Sequence, residues 1–340
     1  MLEYKKPQKI INYLKEKGWK QVPRNRNDVA IFQNSTNKGE TYQVCIPLDE
    51  SLGDYKEALE AAINFIEEFN AKRRRIPNPN KEILNLLKSN KYDFLRTRPE
   101  LRDNIILLVI SGSHAYGLNT PDSDLDIRGI AIENEDTLFG LDNFEIFENK
   151  ETDTVIYSLR NFIRLAMKGS PNMLELLNVR NDDILYITDE GYKLLENKEL
   201  FLSKKLYHTI RGFTKNSLNR MEKDTIKDSK RAGKDSMHLI RLYLSGIEAL
   251  KTEKLPVYMG DNIPYLMEIR NGKYIEKDEN NPENQVINQE FYKELEKYEK
   301  ELTKAYEESK LPDKVDKNAL SELQKEIFKQ RYRKKLILNI

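Results

Sequence analysis

The chain has 340 residues, and its 57 Lys and Arg residues almost cancel its 56 Asp and Glu residues, so the formal net charge is +1. This length predicts two or three domains, and a hydrophobic content of 39% excludes wholesale disorder. A single cysteine excludes an internal disulfide, and three scattered histidines do not form a zinc cage, so any metal must be held by carboxylates.

The longest purely aliphatic run covers residues 105–110. It is far shorter than the ~20 residues that cross a bilayer, and the N-terminus lacks the apolar stretch of a signal peptide. We therefore expect a cytoplasmic protein without a membrane partner.

The first 75 residues predict a small accessory domain of α-β-β-β-α order. A helix that stops at Gly18 is followed by three alternating runs and by a second helix over about residues 54–69. The basic group Lys72–Arg75 ends this helix, and the Pro-Asn-Pro stretch after it cannot continue a helix. These basic residues suit the helix dipole and also suit phosphate contacts with RNA or DNA.

Residues 80–187 predict a mixed α/β core. The apolar run at 104–110 is typical of a strand that is buried on both faces. Around it we expect a helix over 81–87, a strand over 125–132, a hairpin-like pair at 144–147 and 154–157, and a helix over 159–167.

Residues 188–340 predict a helical C-terminal domain, so the overall class is α+β. The expected helices cover residues 200–221, 237–250, 289–306 and 319–338. A second basic group, Lys329–Lys335, lies near the end and again suits either a solvated helix face or phosphate contacts.

The most informative stretch, residues 111–129, directly follows the buried run. Gly112 and Ser113 predict a tight turn whose N–H groups cradle phosphate oxygens. Asp124 and Asp126 are two residues apart at the start of the next strand, so both carboxylates share one face. Because two such carboxylates repel each other, the pair fits a hard cation such as Mg²⁺, which also binds substrate phosphates.

This pattern, Gly112-Ser113 followed by Asp124-Leu125-Asp126, resembles the signature of the DNA polymerase β-like nucleotidyltransferase superfamily. The likeness is closer still to a group of predicted nucleotidyltransferases of bacteria and their phages. It continues through residues 168–177 and 234–241 and covers roughly residues 100–275.

The resemblance implies a polymerase-β-like core and the chemistry of that superfamily. Asp124 and Asp126 would bind two Mg²⁺ ions, for which Mn²⁺ can substitute, and the ions would bridge the triphosphate of an NTP such as ATP. A third carboxylate, which also belongs to the metal site, would deprotonate the attacking hydroxyl. Asp153 is the first choice because it begins a strand just before a helix, and Glu151 is the fallback.

Further nucleotide contacts are expected from basic residues. Lys234, His238 and Arg241 are spaced i, i+4 and i+7, so they form a stripe on one helix face that can hold the outer phosphates. Arg128, two residues after Asp126, falls on the carboxylate face and can pair with a carboxylate or with phosphate. Asn172 and Glu175 either line the pocket or brace a helix.

The resulting hypothesis is an Mg²⁺-dependent nucleotidyltransferase that moves a nucleoside monophosphate from an NTP to an acceptor hydroxyl and releases pyrophosphate. The basic groups favour an RNA 3′ end as the acceptor, and a protein side chain or a small molecule stays open. The rival hypothesis is a nucleotide- or nucleic-acid-binding regulatory module of the sensor or toxin–antitoxin type. The choice of base, the oligomeric state, any protein partner and the role of the N-terminal domain are not determined by the sequence.

Overall fold

The computed structural model describes residues 6–23, 26–35, 41–73, 77–223, 229–277 and 285–338. The chain forms two compact units, Met1–Ile76 and Pro77–Ile340. The side chains of the basic group Lys72–Arg75 lie outside the described part of the chain. The same holds for residues 333–335 of the second basic group, Lys329–Lys335.

The first unit has the predicted α-β-β-β-α order. Its elements are α1 (Pro7–Glu16), β1 (Lys20–Val22), β2 (Val29–Ser35), β3 (Thr41–Pro47) and α2 (Tyr55–Arg73). The three strands form one antiparallel sheet in sequential order. Trp19 is buried in the core of this unit, with its ring centroid 4.5 Å from that of Phe69, so it packs rather than faces solvent.

The second unit begins with the α/β region. Its elements in chain order are α3 (Lys81–Leu87), α4 (Phe94–Thr97), β4 (Ile105–Ile110), α5 (Gly112–Tyr116), β5 (Ile127–Ala131), α6 (Glu135–Phe139), β6 (Ile146–Asn149), β7 (Thr154–Ser158), α7 (Leu159–Ala166), α8 (Pro171–Leu176), β8 (Ile184–Ile187) and α9 (Asp189–Glu196). The five strands form one mixed sheet of order β6-β7-β5-β4-β8, in which only the β5–β7 pair is parallel. The mixed sheet confirms the predicted fold class.

The helical region follows α9. It consists of α10 (Lys205–Lys223), α11 (Ser229–Thr252), α12 (Ile263–Arg270), a short hairpin of β9 (Ile275–Lys277) and β10 (Gln285–Ile287), α13 (Gln289–Glu308) and α14 (Lys317–Leu338). No helix within the described ranges is both long and apolar enough to cross a membrane.

The interior strand β4 is buried on both faces, as its apolar run predicts. Ile106 and Val109 belong to a large hydrophobic cluster that extends to Leu302 and Ile327 in the last two helices. Ile105 and Leu108 belong to a smaller cluster on the other face. The predicted division at residue 187 into a catalytic core and a helical domain stays a prediction, and both parts contribute to one cluster.

Candidate active site

The turn after β4 brings the backbone close to a carboxylate. Gly112 has a φ of +60°, and a Cβ on it would lie 1.9 Å from Oδ2 of Asp126. The Ser111 N–H donates to the Asp126 carbonyl oxygen at 2.9 Å. Only glycine leaves room for this approach, so the turn and the carboxylate are parts of one site.

Asp126 and Asp153 meet because each directly precedes one strand of the parallel β5–β7 pair. The Ile127 N–H donates to the Asp153 carbonyl oxygen at 3.1 Å, and the two carboxyl groups share a hydrogen bond. We call these two residues the aspartate pair. The predicted association of Asp126 with a carboxylate on the neighbouring strand is therefore present in the structure.

The aspartate pair holds a proton near neutral pH. Burial, followed by the hydrogen bond and charge of Asp153, raises the pKa of Asp126 to about 7. The hydrogen bond from Asp126 is the largest cause that lowers the pKa of Asp153. The two groups titrate as a pair, and a cation that binds them would replace the shared proton.

Arg128 anchors the aspartate pair from β5. Its guanidinium lies 3.0 Å from Oδ1 of Asp153 and 3.5 Å from Oδ1 of Asp126, and it also donates to the Asp153 carbonyl oxygen. Asp153 has a φ of +44°, a conformation that non-glycine residues rarely adopt. The Arg128 contacts hold this strained residue in place, which fits the predicted pairing of Arg128 with a carboxylate.

The other predicted acidic residues are less closely joined to the pair. Asp124 is exposed in the segment before β5, and Glu151 is exposed in the turn before Asp153. Within the described ranges, no group of three or more His, Cys, Asp or Glu residues is placed to hold a metal ion. Two carboxylates with a shared proton still fit Mg²⁺, because this ion is often held by one or two carboxylates and by substrate phosphates.

A pocket of about 170 Å³ opens beside the aspartate pair. Five of its lining residues were singled out in the sequence, namely Gly112, Asp126, Arg128, Asn172 and Glu175. Five others were not, namely Ser111, Tyr116, Tyr157, Met173 and Leu176. The strand period of two, counted from Asp153, predicts Tyr157. Met173 and Leu176 lie in the stretch 168–177 of the resemblance, but the sequence assigns them no role.

Ser113 and His114 lie in the short helix α5. Ser113 is buried, and of the two predicted turn residues only Gly112 lines the pocket. The His114 ring nitrogen Nε2 lies 3.4 Å from the Ser123 carbonyl oxygen, which is a local contact. Binding of the nucleotide by Ser113 stays a prediction.

The stripe predicted on α11 contacts pocket-lining residues from behind, because His238 packs against Tyr116 and Arg241 contacts Tyr116 and Glu175. Exposed Lys234 acts electrostatically on both members of the aspartate pair. Burial, followed by the charges of Arg241 and Lys234, lowers the pKa of His238 to about 3, so this ring is neutral at physiological pH. His238 therefore adds no positive charge to the stripe, and its contact with the nucleotide stays a prediction.

Arg241 lies beneath the pocket wall rather than at its surface. Its guanidinium is buried, donates to Oε1 of Glu175 at 2.8 Å and stacks 3.7 Å from the centroid of the Tyr116 ring. The Tyr116 hydroxyl donates to Oε2 of Glu175 at 2.7 Å. Arg241 and Tyr116 thus brace Glu175, and a phosphate contact by Arg241 stays a prediction.

Two comparisons with known proteins bear on this site. The family described as "RNA repair pathway DNA polymerase beta family" matches residues 85–325 of the chain. The uncharacterized protein YcgL of Bacillus subtilis (strain 168) is 28% identical over 134 residues, which are 37% of this chain and 50% of that protein. The similarity thus covers half the length of this curated relative.

Proposed function

The chain belongs to the RNA repair pathway DNA polymerase beta family, and on that premise we propose that it is an Mg²⁺-dependent nucleotidyltransferase. It transfers a nucleoside monophosphate from an NTP to an acceptor hydroxyl, preferably at an RNA 3′ end, and releases pyrophosphate. The observation that carries this proposal is the aspartate pair, whose Asp126 carboxylate lies against the Gly112 turn and on which Lys234 acts electrostatically.

The pair would hold the metal. Asp126 and Asp153 would supply the carboxylate oxygens, and the substrate phosphates would complete the set. Asp124, which does not join the pair in this structure, would become a further ligand only on binding of the metal and the nucleotide. When bound, two Mg²⁺ ions, or Mn²⁺ in their place, supply the positive charge that offsets the carboxylates and the triphosphate.

Side chains of the protein would accept the proton and offset the charge of the phosphates. A carboxylate oxygen of Asp153 accepts the proton of the attacking hydroxyl as the acceptor oxygen bonds to the α-phosphorus. The bond from the α-phosphorus to the bridging oxygen breaks, and pyrophosphate leaves with the bonding electrons. Lys234 and Arg128 offset the negative charge on the phosphates, while Gly112 lets the phosphates approach the backbone.

The direct test is incubation of the protein with each labelled NTP, Mg²⁺ and either total RNA or total protein. We expect label in the RNA pool, and a loss of about 100-fold or more in Asp126→Asn and Asp153→Asn, the scale of a lost acid–base group. Asp142→Asn removes an exposed carboxylate in the loop before β6 and is the matched control. Glu151→Gln is compared with Asp153→Asn, and the variant that loses transfer activity identifies the third carboxylate.

Two results would count against this proposal. Wild-type protein that labels no pool and releases no pyrophosphate would refute catalysis, and full activity in the Asp126→Asn variant would refute the site assignment. A nucleotide-binding regulatory module is the second candidate, because no third acidic residue of the described ranges joins the aspartate pair. It predicts saturable NTP binding by the wild type without transfer.

A further inference from the structure

One flank of α10 contacts the turn that leads into α8, a helix whose side chains line the pocket. Residues Thr209, Phe213, Asn216 and Arg220 are three or four positions apart, so they share this flank. The Thr209 hydroxyl donates to the Lys168 carbonyl oxygen at 3.1 Å. Lys168 lies in the turn that leads into α8, whose side chains line the pocket. The flank is therefore joined to the segment that leads into the pocket-lining helix α8.

Positive charge continues from the pocket to this flank. Burial raises the pKa of half-buried Asp235, and the positive charges of Arg231, Arg220 and Lys234 oppose this rise, so all three cations lie near this carboxylate of α11. Lys234 also acts on the aspartate pair. Among the described residues, positive charge therefore extends from Arg220 on α10 through Arg231 to Lys234, which acts on the aspartate pair.

An exposed aromatic ring lies on the same flank. Phe213 is 47% exposed, although large apolar side chains normally pack inward. Lys168, Arg220 and Arg231 are exposed as well. We call the set of Lys168, Phe213, Arg220 and Arg231 the basic rim. An exposed aromatic among cations is the combination that binds single-stranded nucleic acid, because bases stack on the ring while the cations contact phosphates.

We propose that the basic rim binds the single-stranded segment of an acceptor RNA whose 3′ end enters the pocket. The inference rests on the proposed function and adds the surface that recruits the acceptor. The cations bind consecutive phosphates, and Phe213 stacks on an unpaired base, which fixes the path of the strand. An acidic protein segment would use the cations but would have no base to stack on Phe213.

The test measures binding of a 5′-labelled single-stranded RNA of about 12 nucleotides, within the range of known single-strand sites. Fluorescence anisotropy is recorded with the full chain, without NTP or Mg²⁺, over a series of salt concentrations. The variants are Phe213→Ala, Phe213→Tyr, Arg220→Gln and Arg231→Gln. The controls are Phe139→Ala and Arg102→Gln, which change an exposed aromatic and an exposed arginine. Phe139 follows β5 and Arg102 precedes β4, whereas the pocket lies at the start of β5 and the end of β4.

We expect Phe213→Ala to weaken RNA binding roughly 5- to 100-fold, the cost of one lost stacking contact, and Phe213→Tyr to restore it. Each Arg→Gln change should lower the slope of log affinity against log salt by about 0.7 per lost phosphate contact. Unchanged RNA affinity in all variants would overturn the proposal, as would an equal loss in the controls. Selective loss of labelling of a protein acceptor, with RNA binding intact, would assign the rim to a protein instead.

The binding assay separates this inference from the proposed function because it requires no transfer. If the rim variants lose RNA binding but the wild type transfers no nucleotide, the basic rim stands and the proposed function fails. If the wild type labels RNA and the rim variants bind and label it normally, the proposed function stands and the rim assignment fails.

Discussion

Gly112 is the single residue on which the geometry of the candidate site depends most directly. In Gly112→Ala, the added Cβ would collide with the Asp126 carboxylate, and the φ of +60° would be strained as well. We expect the carboxylate to move and transfer activity to fall at least about 100-fold, because a misplacement of about 1 Å has this cost.

The matched control for this change is Gly212→Ala. Nothing lies within 4 Å of a Cβ at this position in α10, and alanine favours the helix. Nucleotide transfer by the two variants is compared after circular dichroism has shown that both are folded. Wild-type rates in Gly112→Ala would mean that Asp126 does not need its observed position.

His238 makes the stability of the protein depend on pH. Its pKa is lowered to about 3 in the folded chain, against an ordinary value of 6.5, because it is buried beside Arg241 and Lys234. Between these values only the unfolded chain binds the proton, so this contribution to stability is lost as the pH falls from 6.5. The expected slope is at most about 1.4 kcal/mol per pH unit.

The measurement is the free energy of unfolding in urea at several pH values between 4 and 7, a range chosen to span most of the shift. His238→Gln should flatten the dependence, whereas His208→Gln, which changes an exposed histidine on α10, should retain it. Identical pH slopes in wild type and His238→Gln would show that this ring is not held neutral by the fold.

Motif spacing predicts candidate site residues well where these residues lie within one short segment of the chain. Gly112 and Asp126 lie in one continuous stretch, and Asp153 could be found because it opens the next strand of the right type. The buried contact of Arg241 with Glu175 joins residues 66 positions apart in the chain. Helical spacing predicts that Arg241 shares a face with Lys234 and His238, but it cannot show that a carboxylate of α8 pairs with the guanidinium.

At the scale of elements, the contact of α8 with α11 through Glu175 and Arg241 holds the pocket wall. Arg241→Met would leave the buried Glu175 carboxylate with only the Tyr116 hydroxyl, and we expect a loss of about 3–5 kcal/mol in the free energy of unfolding. Adding Glu175→Leu should recover part of this loss, because the uncompensated charge is then gone.

A double-mutant cycle in urea measures the coupling between these two residues. Arg211→Met is the control, since it removes an exposed arginine that pairs with Glu299, and it should cost only about 1 kcal/mol or less. If Arg241→Met weakens NTP binding and leaves the unfolding free energy unchanged, Arg241 is a phosphate ligand rather than a brace.

Long elements with a clear period are predictable, as is the short helix α3, whereas some other short elements are not. The helices α10, α11, α13 and α14 were expected near their observed bounds, with errors of up to eight residues at an end. The strand β8 was missed because four residues after a helical turn do not establish a period. Its strand character comes from pairing with β4, a contact made across most of the α/β region.

At the scale of the whole molecule, the two compact units each bury their own hydrophobic residues. Trp19, Phe32 and Phe69 belong to the cluster of the first unit. The clusters of the second unit extend from Tyr92 to Ile327, nearly the same region that the family match covers. Each unit therefore has the material for an independent core.

We therefore expect a fragment of residues 77–340 to fold and to bind NTP with the affinity of the full chain. A fragment of residues 77–187 should not fold, because it separates β4 and α7 from the α11, α13 and α14 residues of the same cluster. Far-UV circular dichroism and urea unfolding of both fragments test this. A cooperative transition in the shorter fragment would show that a catalytic core ends near residue 187, whereas an unfolded longer fragment would show that the second unit depends on the first.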